Sequence, residues 1–408
     1  MFETVFIIGR EPELSVAELE AVAPQWKATV LDVNESGILL RHEQPLPDRA
    51  IDRLGGSIKQ VNVEDCYDLT KGPRGVLEEI CTPDWLTKHF TEGRIEYGVS
   101  AYGFSRQETA NIQRHFLNLK KEIRAADRAV RFVVSKEPQL SAVVIHRNGL
   151  DKRGKEFVLF KTSQYIVLGV TTAVQDYQAY GVRDFGRPAA NPKSGMLPPK
   201  VCQMMLNIAG LQPHDVILDP FCGSGTMLQE ALLLGAKEVH GSDNDVQAVK
   251  DTQENIRWLM KEYPKIQASV EIIRRDARET YVKPTAIVTE PYLGKPLRGN
   301  EPRSSIIEQA KQLEKLYVGA AQHWSTDIKA GGRVVMIWPE WDLPGSDDRA
   351  ERVVIDLKNE FEHFGFQEKP LLTETSAKLL NNNERFVVTY GRDQARVRRQ
   401  IRSWVYHP

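Results

Sequence analysis

The sequence lacks the features that mark secreted, membrane-spanning and metal-dependent proteins. Its four cysteines are scattered over 408 residues, with no C-x-x-C pair and no histidine at zinc spacing, which argues against a disulfide framework and a structural metal. No run approaches the ~18 to 20 apolar residues that a membrane span needs, and the N-terminus has neither the basic nor the apolar segment of a signal peptide. We therefore expect reduced thiols, no metal, no membrane association and a cytoplasmic location.

Internal repeats, low-complexity tracts and a large net charge are also lacking. Hydrophobic residues make up 41% and charged residues 27% of the chain, which excludes collagen-like, coiled-coil and wholly disordered proteins. A length of 408 residues predicts two or three domains.

The formal net charge of -1 conceals two basic segments. Residues 114–161, the first basic zone, hold 12 Lys/Arg against 5 Asp/Glu, and residues 385–404, the second basic zone, hold 6 against 1. The rest of the chain is therefore acidic. Two basic zones favour a polyanionic partner, whereas two solvated faces without a partner would give the same count.

Strands and helices alternate regularly in the second half of the chain. Strands are predicted at residues 216–219, 239–243, 270–274, 286–289 and 333–338, with helices at residues 225–234, 246–260 and about 304–323 between most of them. This alternation indicates a parallel sheet built from right-handed βαβ crossovers. A helix near residues 350–364 and two strands around Asn381–Asn383 would end the sheet with an antiparallel hairpin.

The first half has the mixed pattern of smaller α+β domains. It contains a predicted helix over residues 108–125 and a predicted strand over residues 142–145. Residues 176–200 are rich in proline and glycine and have no sustained periodicity, which is typical of a connector. We predict domains at residues 1–60, 61–170 and 201–408, with a linker at residues 171–200.

The most informative stretch is a buried strand that runs into a glycine turn, V-I-L-D-P-F-C-G-S-G-T over residues 216–226. Gly223 and Gly225 would let a ligand approach the backbone beyond the carboxyl end of the strand, where open α/β sheets bind ligands. The third glycine of the dinucleotide fingerprint is absent and Asp219 would repel a pyrophosphate, so NAD is disfavoured. A carboxylate there suits a nucleotide-like ligand with a cationic amino group.

Two further carboxylates follow the next strands at the same edge of the sheet. Asp243 ends the second strand, where an acidic residue can accept both hydroxyls of a ribose, while the helix N-cap position suits Asp245 better. Asp276 follows the third strand and is either an acceptor for an adenine amino group or a simple loop carboxylate. These acids, with Asp219, predict a nucleoside site.

The fourth strand ends in T-E-P-Y-L-G over residues 289–294. An exocyclic base amine is a poor nucleophile because its lone pair is delocalised into the ring, and acceptors that hold its two N–H groups can direct that lone pair at an electrophile. Glu290 and the carbonyl of Pro291 are such acceptors, and Tyr292 can stack on an extruded base. E-P-Y alone is a commonplace loop tripeptide, but its place one strand after three ligand carboxylates favours a catalytic role.

Together these motifs resemble the S-adenosylmethionine-dependent amino-methyltransferases of the class I fold, and in particular the THUMP-domain tRNA guanine-N2 methyltransferases. The N-terminal F-I-I-G-R-E-P-E-L-S and the segments R-D-F-G-R-P (183–188) and G-M-L-P-P-K (195–200) are similar to that family too. The catalytic motif departs from the family's D-P-P-Y, since the acid is one methylene longer and the tyrosine comes one position earlier.

The resemblance implies an α/β fold, with a class I, Rossmann-like methyltransferase domain at residues 201–408 that follows a ferredoxin-like domain and a THUMP-like RNA-binding domain. It implies S-adenosylmethionine as cofactor and tRNA as partner, with methyl transfer to the N2 amine of a guanosine at the D-arm junction, position 10. Separately, we expect a monomer. The candidate catalytic residues are Glu290, Pro291 and Tyr292. The candidate cofactor residues are Asp219, Phe221, Gly223, Gly225, Thr226, Asp243, Asn244, Asp276 and Ala277, and the candidate RNA contacts are Lys152, Arg153, Lys155, Arg183 and Arg187.

Two other functions fit the same motifs. A DNA methyltransferase acting on adenine or cytosine amines uses the same kind of acid-proline-aromatic loop, and a non-catalytic RNA-binding protein could retain the scaffold. The N-terminal basic region counts against the first, and a motif set that still suits a cofactor counts against the second. For residues 392–402 two interpretations stay open, a second RNA contact and an amphipathic helix packed on the body.

Overall fold

The structure is a computed structural model that describes residues 1–91, 93–189, 196–279, 281–343, 352–391 and 395–408. The chain divides into two compact units, one of Met1–Tyr177 with Lys378–Asn381 and one of Gln178–Ala377 with Asn382–Pro408. Within the described ranges, no helix has the length and apolarity needed to cross a membrane. The expected helix start at residue 350, Gly195 of the family-like segment and residue 392 of the basic tail lie outside the described residues.

The first unit is built on one mixed sheet flanked by helices. Its strands are β1 (Phe2–Ile8), β2 (Ala28–Asn34), β3 (Gly37–His42), β4 (Ser57–Asp68), β5 (Ile95–Tyr102), β6 (Val130–Phe132), β7 (Lys155–Lys161) and β8 (Tyr165–Val174). Its helices are α1 (Pro12–Val22), α2 (Gly72–Glu79), α3 (Pro83–Lys88), α4 (Arg106–Ala125) and α5 (Ala142–Arg147). The strands follow one another in the order β2-β3-β1-β4-β8-β7-β5-β6.

Several sequence expectations can be compared with this unit. The expected helix over residues 108–125 is confirmed as α4, which begins with a capping box between Ser105 and Glu108. The expected strand at residues 142–145 is wrong, because Ser141 caps the short helix α5 by accepting from the Val144 N–H. The predicted boundary at residue 60 falls inside β4, which pairs with β1 on one side and β8 on the other. The two predicted N-terminal segments therefore share a single sheet.

The second unit is an α/β sheet with helices between its strands. Its strands are β9 (Val216–Asp219), β10 (Glu238–Asp243), β11 (Ser269–Arg274), β12 (Ala286–Thr289), β13 (Arg333–Asp342), β14 (Arg352–Val354), β15 (Phe366–Lys369), β16 (Val388–Tyr390) and β17 (Val397–Tyr406). The helices are α6 (Tyr177–Phe185), α7 (Pro199–Ile208), α8 (Thr226–Leu233), α9 (Val246–Glu262), α10 (Arg303–Asp327), α11 (Lys358–His363) and α12 (Glu374–Leu379). The main strand order is β11-β10-β9-β12-β13-β17-β15.

Strands β9 to β13 are parallel, which confirms the expected parallel sheet. The antiparallel end of the sheet is formed differently from the expectation: β17 inserts between β13 and β15 and is antiparallel to both. Asn381 has a positive φ of 54°, but the triplet Asn381–Asn383 follows α12 and is not a hairpin turn between two strands. The amphipathic-helix interpretation of the basic tail is also wrong, because residues from Val397 onward form β17.

An aromatic core fixes the position of β17. Trp338 on β13 and Trp404 on β17 have ring centroids 5.1 Å apart, and Phe361 of α11 packs 4.8 Å from Trp404. All three side chains are fully buried, and each such burial stabilises the fold by roughly 1.5–3 kcal/mol. The order of strands reverses between β9 and β12, since the chain first runs outward to β10 and β11 and then returns. Open α/β sheets bind ligands beyond the carboxyl ends of their strands at such a reversal.

Candidate active site

A cavity of about 750 Å³ lies at the carboxyl ends of β9, β10 and β12. Most of the sequence-predicted catalytic and cofactor residues line it. They are Asp219, Phe221, Gly223, Thr226, Asp243, Asn244, Asp276, Ala277, Glu290, Pro291 and Tyr292. The structure thus brings together, at one edge of one sheet, residues that are spread over more than seventy positions of the chain.

The glycine turn forms the floor of the cavity, but its two glycines do different things. Gly223 has φ +51°, and a Cβ added there would meet no atom closer than 4.0 Å, so its backbone faces open space. Gly225 has φ +82°, and a Cβ there would lie 2.8 Å from Cγ2 of Thr252. Gly225 is therefore required for packing against α9, whereas the expectation was that it lets a ligand approach.

Helix α9 holds this turn from below through two polar residues that sequence reasoning missed. The Thr252 hydroxyl donates to the Gly223 carbonyl at 2.7 Å, and Asn255 Nδ2 donates to the Ser224 carbonyl at 2.9 Å. Both side chains are fully buried, where an unpaired polar group would cost about 1–3 kcal/mol. Thr252 and Asn255 are polar residues three positions apart on the buried face of an amphipathic helix, and this sequence pattern could have identified them.

Asp219 is the most perturbed acid of the cavity. It is buried, and its Oδ1 accepts from the Thr289 hydroxyl at 2.6 Å and from the Phe221 N–H at 3.2 Å. Burial raises its pKa to about 7, and the nearby carboxylates of Asp243 and Glu290 act in the same direction. A cation placed beside Asp219 would relieve both effects, so this position favours a positively charged ligand group.

Asp243 links the glycine turn to the start of α9. Its Oδ2 accepts from the Gly223 N–H at 3.0 Å and its Oδ1 from the Asp245 N–H at 2.9 Å. Asp245 caps α9 by accepting from the Gln247 N–H at 2.8 Å, which confirms that capping falls to Asp245. Burial raises the pKa of Asp243. Its carboxylate lines the cavity with lone pairs to spare, as a ribose site requires.

Asp276 also lines the cavity, but it has a partner that the sequence did not predict. Its two oxygens accept from Arg278, Oδ1 from Nε at 2.8 Å and Oδ2 from Nη2 at 2.7 Å. This pairing lowers the pKa of Asp276 to about 2, so the carboxylate is ionised at every physiological pH. Oδ1 also accepts from the Arg278 N–H at 2.9 Å, so Oδ2 is the oxygen with a second lone pair that can accept from an amino group.

Glu290 at the end of β12 is bound by an arginine from the far end of the chain. Arg399 on β17 donates from Nε to Glu290 Oε1 at 2.5 Å. Burial raises the pKa of Glu290, and the Arg399 charge opposes that rise. Because Arg399 engages only Oε1 in this contact, Oε2 is the atom with capacity to accept from a substrate.

The two residues after Glu290 are positioned by backbone contacts. Pro291 is buried, while the Tyr292 side chain is 54% exposed at the cavity. The buried Tyr317 of α10 donates its hydroxyl to the Tyr292 carbonyl at 2.7 Å. The loop is therefore anchored by its backbone, and the aromatic face of Tyr292 is accessible for stacking.

Arg183 and Arg187 do not lie where RNA contacts were expected. Both are buried, Arg183 paired with Glu230 at 2.7 Å and Arg187 donating to the Thr226 hydroxyl at 2.6 Å. These guanidinium groups stabilise α8 and the cofactor turn from inside the second unit, so they are not placed to bind surface phosphates.

The remaining candidate RNA contacts belong to the first unit. Lys152 and Arg153 are exposed and Lys155 is half-buried. Arg153 lies 3.5 Å from Glu96 through its Nε. Their exposure leaves two of these three cations accessible to solvent.

Comparison with known proteins finds similarity to methyltransferases over part of the second unit. Residues 186–346 match the RMKL-like methyltransferase domain of the UPF0020 family. The tRNA (guanine(10)-N2)-dimethyltransferase of Methanothermobacter thermautotrophicus is 34% identical over 161 residues, which are 39% of this chain and 43% of that protein. The enzyme of the same name from Methanocaldococcus jannaschii is 36% identical over 110 residues, 24% of this chain and 29% of that protein. The chain thus matches less than half the length of these curated relatives.

Solved structures agree on the fold. TrmN from Thermus thermophilus superimposes with a TM-score of 0.54 over the full length of both chains at 15% sequence identity. A possible methylase from Clostridium difficile 630 gives a TM-score of 0.52 at 11% identity, over 100% of this chain and 98% of that one. The expected class I, Rossmann-like methyltransferase fold is confirmed. Residues 186–346 of this chain are thus similar to the RMKL-like methyltransferase domain of the UPF0020 family.

Proposed function

We propose that the protein is an S-adenosylmethionine-dependent tRNA methyltransferase that transfers a methyl group to the exocyclic N2 amine of a guanosine, with position 10 at the D-arm junction as its target. One observation carries the proposal. Glu290, followed directly by Pro291, lines the same cavity as Asp219 and Asp243. The names of the relatives that share 34–36% identity with parts of this chain support the choice of substrate.

The residues present fit this cofactor. A cavity of about 750 Å³ lies within the range of roughly 300–1,000 Å³ that small-molecule sites occupy. Asp219 would hold the cationic amino group, Asp243 the ribose hydroxyls and Asp276 the adenine amino group. The raised pKa of Asp219 supports the first assignment, because a buried acid beside other acids gains most from an ammonium partner. When bound, the cofactor supplies a methyl group activated by a sulfonium.

The chain's own residues would prepare the amine for attack. Glu290 Oε2 accepts one N–H of the amine and the Pro291 carbonyl accepts the other, which turns the nitrogen lone pair toward the methyl carbon. The bound cofactor would supply the methyl carbon and keep the electrons of the broken C–S bond on its sulfur, so the amine nitrogen would have to lose a proton as it is methylated. The Glu290 carboxylate, whose pKa burial raises, can accept that proton. Positioning of this kind is worth about 7–11 kcal/mol, so no covalent enzyme intermediate is needed.

The tRNA would be bound by the N-terminal part of the chain. We assign a ferredoxin-like segment to residues 1–60 and a THUMP-like segment to residues 61–170, the two sharing one sheet through β4. The linker at residues 171–200 includes the end of β8 and all of α6, and Lys152, Arg153 and Lys155 are the proposed phosphate contacts. The exposure of Lys152 and Arg153 supports this assignment. Such contacts position an RNA without reading its sequence.

Labelled S-adenosylmethionine, incubated with the protein and an unmodified tRNA transcript, tests the proposal. We expect label on guanosine 10 and none on a transcript with adenosine there, with the modified nucleoside identified by digestion. Glu290→Ala should lower the transfer rate roughly a thousandfold or more, because the positioned acceptor is lost. Cofactor affinity should stay within threefold, and Glu254→Ala, an exposed acid on α9, serves as the matched control.

The other outcomes separate the competing functions. Label on duplex DNA but not on tRNA would replace the proposal with a DNA amino-methyltransferase. If the protein binds RNA but neither binds the cofactor nor transfers a methyl group, it is a non-catalytic RNA-binding protein that retains the methyltransferase scaffold. Equal loss of transfer and of cofactor affinity in Glu290→Ala would make Glu290 a structural residue.

A further inference from the structure

An acidic cavity that accepts a base from a polyanion faces an electrostatic obstacle. Asp219, Asp243, Asp276 and Glu290 all line it, and the phosphates on either side of an extruded nucleotide must approach within a few ångströms of its mouth. We propose that Lys295, Arg298 and Arg396, here called the basic rim, bind those flanking phosphates. This inference rests on the proposed function and names the contacts that the RNA makes beside the reacting base.

The first part of the rim belongs to the loop that follows the catalytic motif. This loop joins β12 to α10, and its Lys295 is exposed and lines the cavity. Lys295 is held through its backbone, since its N–H donates to Gln309 Oε1 at 2.9 Å. Arg298 lies three residues further on and is also exposed.

The second part comes from the residue that precedes β17. Arg396 is exposed, and the next residue, Val397, lines the cavity. Gly299 has φ +98°, and a Cβ added there would lie 2.1 Å from Cζ of Arg396. The Arg396 guanidinium therefore lies flat against the loop at Gly299, directly beside Arg298, which only a glycine permits.

Glu301, an acid of the same loop, is engaged by backbone N–H groups of that loop. Glu301 accepts from the N–H of Arg298 at 2.5 Å and from the N–H of Gly299 at 2.7 Å. These backbone bonds lower the pKa of Glu301 and fix the turn that presents Arg298. The three cations of the rim and Glu301 together carry net positive charge, next to a cavity lined by five acids.

The salt dependence of tRNA binding tests the rim. The triple variant Lys295→Gln, Arg298→Gln, Arg396→Gln should make the slope of log Kd against log salt shallower by about 2. Complete loss of three phosphate contacts would change this slope by about 2.1–2.7. At physiological salt we expect affinity for the tRNA transcript to fall roughly 10- to 100-fold. Thermal unfolding and titration with S-adenosylhomocysteine would show that the variant is folded and retains its cofactor site.

A matched control comes from the other edge of the same sheet. Arg257 and Lys261 on α9, with Lys265 after it, are exposed, and the C-terminal end of α9 points to the amino edge of the strands, away from the cavity. Their triple glutamine variant removes the same charge and should keep the wild-type slope.

The outcomes distinguish failure of the rim from failure of the function. If the wild type neither binds nor methylates tRNA, the proposed function is wrong. If the wild type does both while the rim variant keeps its slope, or the control loses as much slope as the rim variant, the rim does not bind the flanking phosphates and only this inference falls.

Discussion

The two basic zones look alike in composition and are used in different ways. Residues 114–161 place several cations on the surface of the first unit, among them Arg114, Lys121 and Arg124 on one face of α4. Residues 397–404 instead form part of β17, where three arginines are each paired with an acid. These pairs are Arg398 with Asp342 at 3.6 Å, Arg399 with Glu290 at 2.5 Å and Arg402 with Glu368 at 2.9 Å.

The difference follows from secondary structure and neighbours. Helix α4 packs only one face against the sheet, so its basic residues remain solvated. Strand β17 lies between β13 and β15, and its polar residues meet acids on the adjoining strands and loops. A charge excess counted along the chain therefore shows where cations are abundant, and only the fold shows which of them can meet a polyanion.

Among the three ion pairs of β17, the Arg399–Glu290 pair should have the largest effect on methyl transfer, because Glu290 belongs to the catalytic loop. Arg399→Met removes the charge that opposes the raised pKa of Glu290, so the carboxyl becomes protonated at higher pH than in the wild type. Because transfer requires ionised Glu290, we expect a loss of about 100-fold near pH 7, equivalent to about 2.7 kcal/mol, that shrinks as pH rises. The measurement is the pH profile of single-turnover methyl transfer.

Two controls sharpen that result. Arg398→Met, on the same strand but paired with Asp342, should change transfer less than threefold. Arg124→Met in the first basic zone should leave the profile unchanged in shape. If Arg399→Met lowered transfer equally at all pH values, its role would be packing and not control of the Glu290 charge.

A smaller effect is expected on stability. Arg402 is mostly buried, pairs with Glu368 and lies 4.6 Å above the Trp338 ring. In the Arg402→Met variant, Glu368 still has a second cation, Lys358, at 3.5 Å. The variant should therefore lose about 2 kcal/mol of unfolding free energy, which is less than the loss expected when a buried acid is left with no cation. Lys121→Met on the exposed face of α4 should stay within about 0.5 kcal/mol. Urea unfolding measures both, and equal losses would contradict the contrast between the zones.

Some of the site could be predicted from sequence because parallel strands end at one edge. Asp219, Asp243 and Glu290 each follow a buried strand, and the sheet brings such positions together without further information. Arg399 could not be found in this way. It lies 109 residues from Glu290, and the pairing exists only because β17 inserts next to β13.

Buried polar contacts account for other differences. Thr289 appeared in the sequence as the residue before the catalytic acid, yet its hydroxyl is a main partner of Asp219. Arg187 was a candidate RNA contact within a segment similar to the family, and it is instead buried against Thr226, unlike most arginines, which are exposed. In the N-terminal part, the short apolar run at residues 142–145 suits a strand or a helix equally, and the Ser141 cap decides for the helix.

The central claim is that carboxylates at one edge of the sheet hold a cationic nucleoside, whereas Glu290 acts only on the substrate and does not hold the nucleoside. Calorimetric titration of S-adenosylhomocysteine into Asp219→Asn, Asp243→Asn and Glu290→Ala measures this directly. We predict that the first two variants bind at least about tenfold more weakly than the wild type, each losing at least about 1.4 kcal/mol, and that Glu290→Ala binds within threefold of it. Wild-type affinity in both aspartate variants, or a loss in Glu290→Ala as large as theirs, would contradict the account.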